Sequence, residues 1–173
     1  NVGGLAQQVT ENTYEWSKVT CLASTHTVCL QEHRLTEDKI NFLRSLHPKL
    51  IIAATGADCS GTAAYPKAGV AVMAVKANHK GKLKQLVLVP HFAVGLTHTT
   101  PHWRSITISV YLPATRHSEV LRKLTSAIHK AGKFDELTIC GDFNYPGMSI
   151  KDKNVWTTFT AEHGLGALLP DDQ

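Results

Sequence analysis

The chain has 173 residues, of which 43% are hydrophobic and 18% charged, and its formal net charge is +4. These values fit one globular domain with a buried core and exclude a disordered chain. The longest apolar run, residues 68–75, is too short to cross a bilayer, so we expect no membrane partner. The mild positive charge is compatible with a phosphate-rich partner, and ordinary scatter of surface charge explains it equally well.

The cysteines favour a reduced intracellular protein. Cys21, Cys29, Cys59 and Cys140 show no C-x-x-C spacing, so a cysteine zinc site is not expected. Cys29 and Cys140 fall within predicted buried strands, where a thiol behaves as a small hydrophobic group. No N-terminal signal sequence is evident.

The first third of the chain alternates helical and strand patterns. Thr36 is the expected N-cap of one helix, because Glu37 and Asp38 follow it in the first turn. Apolar periodicity and apolar runs place the other elements. In chain order, the patterns predict a helix over residues 10–23, a strand over 27–32, the helix after Thr36, a strand over 50–54 and a loop over 56–67.

The most concentrated positive charge lies between two predicted strands, over residues 69–75 and 83–89. The intervening hairpin-like connection contains Lys76, Lys80 and Lys82. These lysines are candidates for contact with a nucleic-acid backbone. The more common explanation is a solvated turn that protects a strand edge.

A second candidate nucleic-acid contact lies between the strands predicted over residues 92–98 and 103–112. There Trp103 and Arg104 stand beside histidines, and an aromatic ring next to basic side chains suits base stacking. A place for Trp103 in the core is an equally good interpretation.

The last third contains the clearest helical pattern, over residues 118–131, with Gly132 as its C-cap. The apolar run before Gly141 predicts a central, buried strand, and Gly141 is expected to end it where the backbone turns. A further helix is predicted over residues 153–163.

A carboxylate and an amide, Asp142 and Asn144, stand at the mouth of that buried strand. Alternation along an extended backbone would point both side chains to the same side. Such a pair can hold a water or a hydrated metal near a substrate, as general base catalysis requires. An Asx-turn that closes the strand is the alternative, and for G-D-x-N alone it is the more common one.

Four other short motifs accompany this pair. N-x-x-G-L begins at Asn1, C-L-Q-E ends at Glu32, A-G-V-A-V covers residues 68–72, and V-Y-L-P contains Tyr111. Together with G-D-F-N, and in this order, they resemble the endonuclease/exonuclease/phosphatase superfamily. That superfamily includes abasic-site endonucleases, DNase-I-like nucleases, inositol polyphosphate phosphatases and the endonuclease domains of non-LTR retrotransposons.

The resemblance implies an α/β (α+β) fold, a four-layer sandwich in which two mixed β-sheets pack face to face with helices outside. Residues 1–173 are expected to form a single domain. The family's closing S-D-H-x-P motif does not occur, and His163 is a poor substitute for its histidine. We therefore expect the domain to be incomplete at the C terminus, the parent reading frame to extend past both ends, and the 173 residues alone to have little hydrolytic activity.

The resemblance also implies roles for five residues. Glu32 takes the place of a metal ligand, and Asp142 that of the aspartate that positions or deprotonates the attacking water. Asn144 would orient water and phosphate, and Tyr111 would hydrogen-bond a phosphoryl oxygen. Asn1 would support the metal site, although Gly3 replaces a polar residue that often follows it. The expected cofactor is Mg²⁺, with Mn²⁺ as the alternative.

Within the superfamily, residues 67–72 and 141–146 most resemble retrotransposon-type endonucleases. This predicts a Mg²⁺-dependent phosphodiesterase that nicks DNA, with a nuclear location and a reverse transcriptase in the same parent protein. Two alternatives stay open. One is an inositol polyphosphate or lipid phosphodiester phosphatase, since loops decide specificity. The other is a catalytically inactive fragment or binding module.

Overall fold

The computed structural model describes residues 19, 21–23, 26–59 and 67–166. Asn1, the first motif and most of the helix predicted over residues 10–23 lie outside these ranges. The described part of that helix, Cys21 to Ala23, is helical, and Ala23 is buried. No helix in the described ranges is long and apolar enough to span a membrane.

The described elements follow the predicted order, with ends that differ by up to three residues. The last helix begins before residue 153 because the Ser149 hydroxyl accepts the Asp152 N–H and caps it there. The strands are β1 (Val28–Gln31), β2 (Leu50–Thr55), β3 (Val70–Val75), β4 (Lys82–Val89), β5 (Ala93–Thr99), β6 (Arg104–Tyr111) and β7 (Glu136–Asp142); the helices are α1 (Glu37–Leu46), α2 (His117–Ala131) and α3 (Ile150–Glu162).

The strands form two sheets. Sheet one has the order β1–β3–β2 and is antiparallel. Sheet two has the order β4–β5–β6–β7 and is mixed, because β6 and β7 run parallel while the other neighbours are antiparallel. The hairpin predicted between β3 and β4 is wrong: these strands belong to different sheets, and a 3₁₀ turn at Lys76–Asn78 begins the crossing.

Three apolar clusters hold four layers together and confirm the sandwich. Alternation along each strand sends one set of side chains to the helices and the other to the facing sheet. The outer face of sheet one buries Leu30, Ile52 and Met73 against Ile40 and Leu43 of α1; the interface between the sheets buries Val70, Val72, Val94 and Leu96; the outer face of sheet two buries Ile106 and Ile108 against Leu121, Leu124, Ile128 and Phe159 of α2 and α3.

The prediction that β7 is central and buried is wrong in the described part of the chain. β7 is an edge strand there, paired only with β6, and most of its residues are half-buried. Cys140 is exposed for this reason, whereas Cys29 is partly buried between the sheets. Cys140 hydrogen-bonds Cys29, and this bond lowers the pKa of the Cys140 thiol to about 7.

Gly141 does not end β7, which continues through it to Asp142. The glycine is required for a different reason. It lies opposite Val110 of β6, and a Cβ atom at this position would overlap the Val110 carbonyl and side chain. Close approach of two backbones, and not a turn, selects glycine here.

Gly141→Ala is therefore expected to destabilise the protein by about 1–3 kcal/mol, the usual cost of overpacking. Urea unfolding would measure the change. Gly147→Ala is the matched control, because nothing lies within 4 Å of a Cβ atom there; it should change the free energy of unfolding by less than about 0.5 kcal/mol. Equal effects of the two substitutions would contradict the packing explanation.

Candidate active site

Three of the predicted site residues meet at one edge of the sandwich. Glu32 directly follows β1 of sheet one. Tyr111 and Asp142 end β6 and β7 of sheet two, where they are paired in register. The site is thus built from both sheets.

Two hydrogen bonds tie the sheets together beside this edge. The Gln31 side chain donates from Nε2 to the Ser109 hydroxyl oxygen at 2.9 Å. The Ser109 hydroxyl in turn donates to the Leu30 carbonyl at 3.0 Å. Both side chains are buried, so these bonds form away from water and fix where β1 lies across β6.

The Tyr111 hydroxyl hydrogen-bonds the Glu32 carboxylate. Burial, this bond and the negative charges of Glu32 and Asp142 raise the pKa of Tyr111 above its ordinary value. The hydroxyl therefore stays protonated at neutral pH and is the donor in the hydrogen bond to Glu32. The hydrogen bond thus joins a side chain of sheet two to the carboxylate that follows β1 of sheet one.

Asp142 and Asn144 form the Asx-turn that was the alternative interpretation of G-D-x-N. The Asn144 backbone N–H donates to Asp142 Oδ1 at 3.1 Å. The Asn144 side chain donates from Nδ2 to the Leu112 carbonyl at 2.9 Å, which leaves its amide oxygen as the acceptor end. The turn and the site coexist, because the turn fixes the orientation of both polar side chains.

Two of the site residues have left-handed backbones. Glu32 has a φ of 54° and Asn144 a φ of 46°. Such values are uncommon outside glycine, cost free energy and concentrate at functional sites, where the surrounding structure maintains them. Simple strand alternation therefore does not describe where these side chains lie.

A buried histidine supports the turn that carries Glu32. His33 is 1% exposed, and its Nδ1 accepts the Leu35 N–H at 3.0 Å. Burial lowers the pKa of His33 to about 4, so the ring is neutral. Gly69, in the A-G-V-A-V motif, has a φ of 89°, and a Cβ atom there would lie 2.6 Å from the His33 ring. The motif thus makes room for this ring.

Arg34 is a site residue that sequence reasoning missed. Its guanidinium lies 3.8 Å from the Glu32 carboxylate, and its side chain is 42% exposed. The φ of 57° at Arg34 helps to bring the side chain back towards Glu32. Its only signal in the sequence is a basic residue two positions after the Q-E pair.

The predicted nucleic-acid contacts lie at the other end of the strands. β3 ends, and β4 and β6 begin, at the edge opposite Tyr111 and Asp142. Trp103 is 40% exposed, so its alternative place in the core is wrong. Contact with nucleic acid stays a prediction for the five residues at this edge, Lys76, Lys80, Lys82, Trp103 and Arg104.

Arg104 has a structural task at that edge. Its guanidinium donates to the carbonyls of Ala131 and Lys133, at 2.7 Å each. It thereby supplies donors to backbone groups at the C-terminal end of α2. The same contacts show that α2 ends beside the start of β6.

The donors at the candidate site fit a hard cation. Glu32, Asp142 and the outward end of Asn144 offer oxygen atoms, which Mg²⁺ prefers over nitrogen or sulfur. The Glu32 side chain is 20% exposed, so its carboxylate is still open to solvent while it contacts Tyr111 of the other sheet.

No protein-family model and no curated protein matches the sequence, whereas several solved structures are similar to the chain in fold. A 3′ phosphatase, NExo from Neisseria, bound to product DNA hairpin, superposes with a TM-score of 0.63 at 14% identity over 93% of this chain and 68% of its own. The AP endonuclease LMAP from Leishmania major superposes with a TM-score of 0.69 at 12% identity, over 93% of this chain and 64% of its own. The endonuclease domain of TRAS1, a telomere-specific non-LTR retrotransposon, superposes with a TM-score of 0.54 at 15% identity, over 92% of this chain and 67% of its own.

These likenesses show that the chain shares the fold of these three structures, two β-sheets packed face to face with helices outside. The chain spans about two thirds of the length of each of the three structures.

Proposed function

We propose that the 173 residues act as one domain of a metal-dependent phosphodiesterase that nicks DNA. The observation that carries the proposal is the convergence of Glu32, Tyr111 and Asp142 at one edge of the sandwich. The shared fold with an AP endonuclease and with a 3′ phosphatase bound to product DNA hairpin supports DNA as the substrate.

Asp142 is the base in this proposal. The Asn144 N–H holds its Oδ1, so Oδ2 is the oxygen that can take a proton from the attacking water. The Asn144 amide oxygen, fixed by the bond from Nδ2 to Leu112, accepts the other hydrogen of that water and orients it. In this proposal Asp142 thus supplies the base, and Asn144 of the same turn orients the attacking water.

Glu32 is the proposed metal ligand. A bound Mg²⁺, with Mn²⁺ as the alternative, would neutralise charge on the phosphoryl oxygens and lower the pKa of bound water. The Tyr111 hydroxyl can donate one hydrogen bond, and in this structure it donates that bond to Glu32. A cation held by Glu32 would make that carboxylate a weaker hydrogen-bond acceptor, and the Tyr111 hydroxyl would then be available to donate to a phosphoryl oxygen.

Two further residues belong to the proposal. Arg34 would contact a non-bridging phosphate oxygen, because its guanidinium is beside Glu32 and partly exposed. Asn1 would support the metal site, and it lies outside the described residues. The likeness to the endonuclease domain of TRAS1 supports a retrotransposon origin, with a reverse transcriptase in the parent protein and a nuclear location.

The deciding experiment is nicking of supercoiled plasmid by the parent protein in Mg²⁺ and in Mn²⁺, beside release of phosphate from inositol polyphosphates and lipid phosphodiesters. Nicking alone supports the proposal. Release of phosphate from the inositol or lipid substrates alone would replace it with the phosphatase alternative. Activity on none of them would leave an inactive module.

Glu32→Gln is expected to raise the Mg²⁺ concentration required for half-maximal nicking by at least about tenfold, as loss of a group that supports a metal typically does. The glutamine oxygen still accepts the Tyr111 hydroxyl, so the fold should persist. Glu136→Gln, at the exposed start of β7, is the matched control and should leave the requirement unchanged. An unchanged Mg²⁺ requirement in Glu32→Gln would remove Glu32 from the metal site.

A further inference from the structure

The helices α2 and α3 lie side by side and run in the same direction. Near their N-terminal ends, the Ser118 hydroxyl donates to the Asp152 carboxylate. At their C-terminal ends, His129 Nε2 lies 3.1 Å from Glu162 Oε1. Two contacts in the same order along both helices define a parallel pair.

The C-terminal ends of this pair are far from the candidate active site. α2 begins soon after Leu112, whose N–H donates to the Asp142 carbonyl. It ends at Ala131, beside the first residue of β6. At a rise of about 1.5 Å per residue, the helix carries His129 roughly 18 Å away from its start.

Three metal-binding side chains converge at this far end. The ligand atoms of His129, Glu162 and His163 all lie within 4.8 Å of one another. In a tetrahedral zinc site, with bonds of about 2.0–2.1 Å, ligand atoms are about 3.3 Å apart. The side chains of His129 and Glu162 are 59% and 40% exposed, so rotation of exposed groups can close the difference of up to about 1.5 Å.

The electrostatics of the helix ends favour a cation at this place. Each helix presents the negative end of its macrodipole at its C terminus, and parallel neighbours bring the two negative ends together. Glu162 adds a negative charge there, and the last turn of α3 contains no basic residue that would offset it. In the last turn of α2, the basic residues are His129 itself and Lys130.

The His163 ring has an unsatisfied nitrogen. Its Nε2 atom is shielded from solvent and has no hydrogen-bond partner among the described residues, which is costly for a polar atom. The Phe159 ring packs edge-on against it at 4.9 Å between centroids and limits its movement. Burial lowers the pKa of His163, and the neutral imidazole is the form that binds metals.

We propose that His129, Glu162 and His163 form a binding site for a divalent transition metal, with Zn²⁺ as the best fit, separate from the candidate active site. Two imidazoles and one carboxylate suit Zn²⁺, whereas the all-oxygen donors near Glu32 suit Mg²⁺. Three protein ligands leave a fourth position for water or another ligand. The bound ion joins the C-terminal ends of α2 and α3, which cover the outer face of sheet two.

Calorimetric titration of the metal-free protein with Zn²⁺, in excess Mg²⁺, tests the proposal directly. We expect one equivalent of Zn²⁺ to bind. His129→Gln and His163→Gln should each weaken binding by at least about tenfold. His47→Gln, beyond the end of α1 on the other side of the sandwich, is the matched control and should bind like the unaltered protein. Co²⁺ in place of Zn²⁺ should give the visible absorption of a tetrahedral site.

Two measurements keep the test independent of folding defects and of the proposed nuclease. In chelator, His129→Gln should melt at the temperature of the unaltered protein, and the two should diverge only when Zn²⁺ is added. Glu32→Gln should bind Zn²⁺ normally, whatever its effect on nicking. The proposal is overturned if no Zn²⁺ binds, or if the double substitution of His129 and His163 leaves binding undiminished.

Discussion

Asp142→Asn is expected to slow plasmid nicking by about 10²–10⁴-fold, the usual contribution of a positioned base, while the protein stays folded. The new amide oxygen can still accept the Asn144 N–H at the position of Oδ1, so the Asx-turn persists. The amide nitrogen then replaces the oxygen that takes the proton. Single-turnover nicking rates would measure the loss, and thermal unfolding would confirm the fold.

Asp135→Asn is the matched control for this substitution. Asp135 immediately precedes β7, and its carboxylate accepts the Arg104 N–H at 2.8 Å, at the edge opposite Asp142. The same chemical change at the other end of the strand should leave the nicking rate nearly unchanged. Equal loss in both variants would point to damage to β7, and full activity of Asp142→Asn would show that another group is the base.

The second large effect is on stability at acidic pH. The pKa of His33 is about 4 in the folded protein because the ring is buried, against 6.5 for an ordinary histidine. Between these values the unfolded state binds more protons, so stability rises with pH. The contribution of the neutral ring is complete above about pH 6.5 and is lost as pH falls through 4, about 3 kcal/mol in total.

His33→Asn isolates this contribution. The asparagine oxygen can accept the Leu35 N–H as His33 Nδ1 does, but the amide cannot take up a proton. Urea unfolding between pH 4 and 7 should show a steep rise of stability with pH in the unaltered protein and a flatter one in the variant. The same slope in both proteins would mean that other groups carry the pH dependence.

Local patterns in the sequence predicted most elements, but not how they pair. Apolar periodicity located α2 and the strands because burial on one face leaves a repeat in the residues themselves. Whether β3 and β4 share a sheet leaves no such repeat, and the lysine-rich connection fits a hairpin or a crossing equally well. Gly141 shows the same limit: its glycine is explained by Val110, thirty-one positions away.

The short motifs in the sequence identified most residues of the candidate site, but not how these residues are arranged. Glu32, Tyr111, Asp142 and Asn144 were named from the sequence, and the structure brings the first three together and joins Asn144 to Asp142. Arg34 could not be identified, because a left-handed backbone turns it back towards Glu32. The sequence also did not predict that this site and the lysines lie at opposite edges, because that separation depends on the direction of the strands.

Because Glu32 comes from one sheet and Tyr111 and Asp142 from the other, the candidate site exists only while the two sheets are docked. Catalytic activity should then report tertiary assembly more sensitively than helical content does. In a denaturant titration, any slippage at the Gln31–Ser109 contact would separate the carboxylates before α2 melts. Substitutions that shift one sheet against the other, far from any substrate, would give evolution a way to adjust turnover without altering a single reacting group.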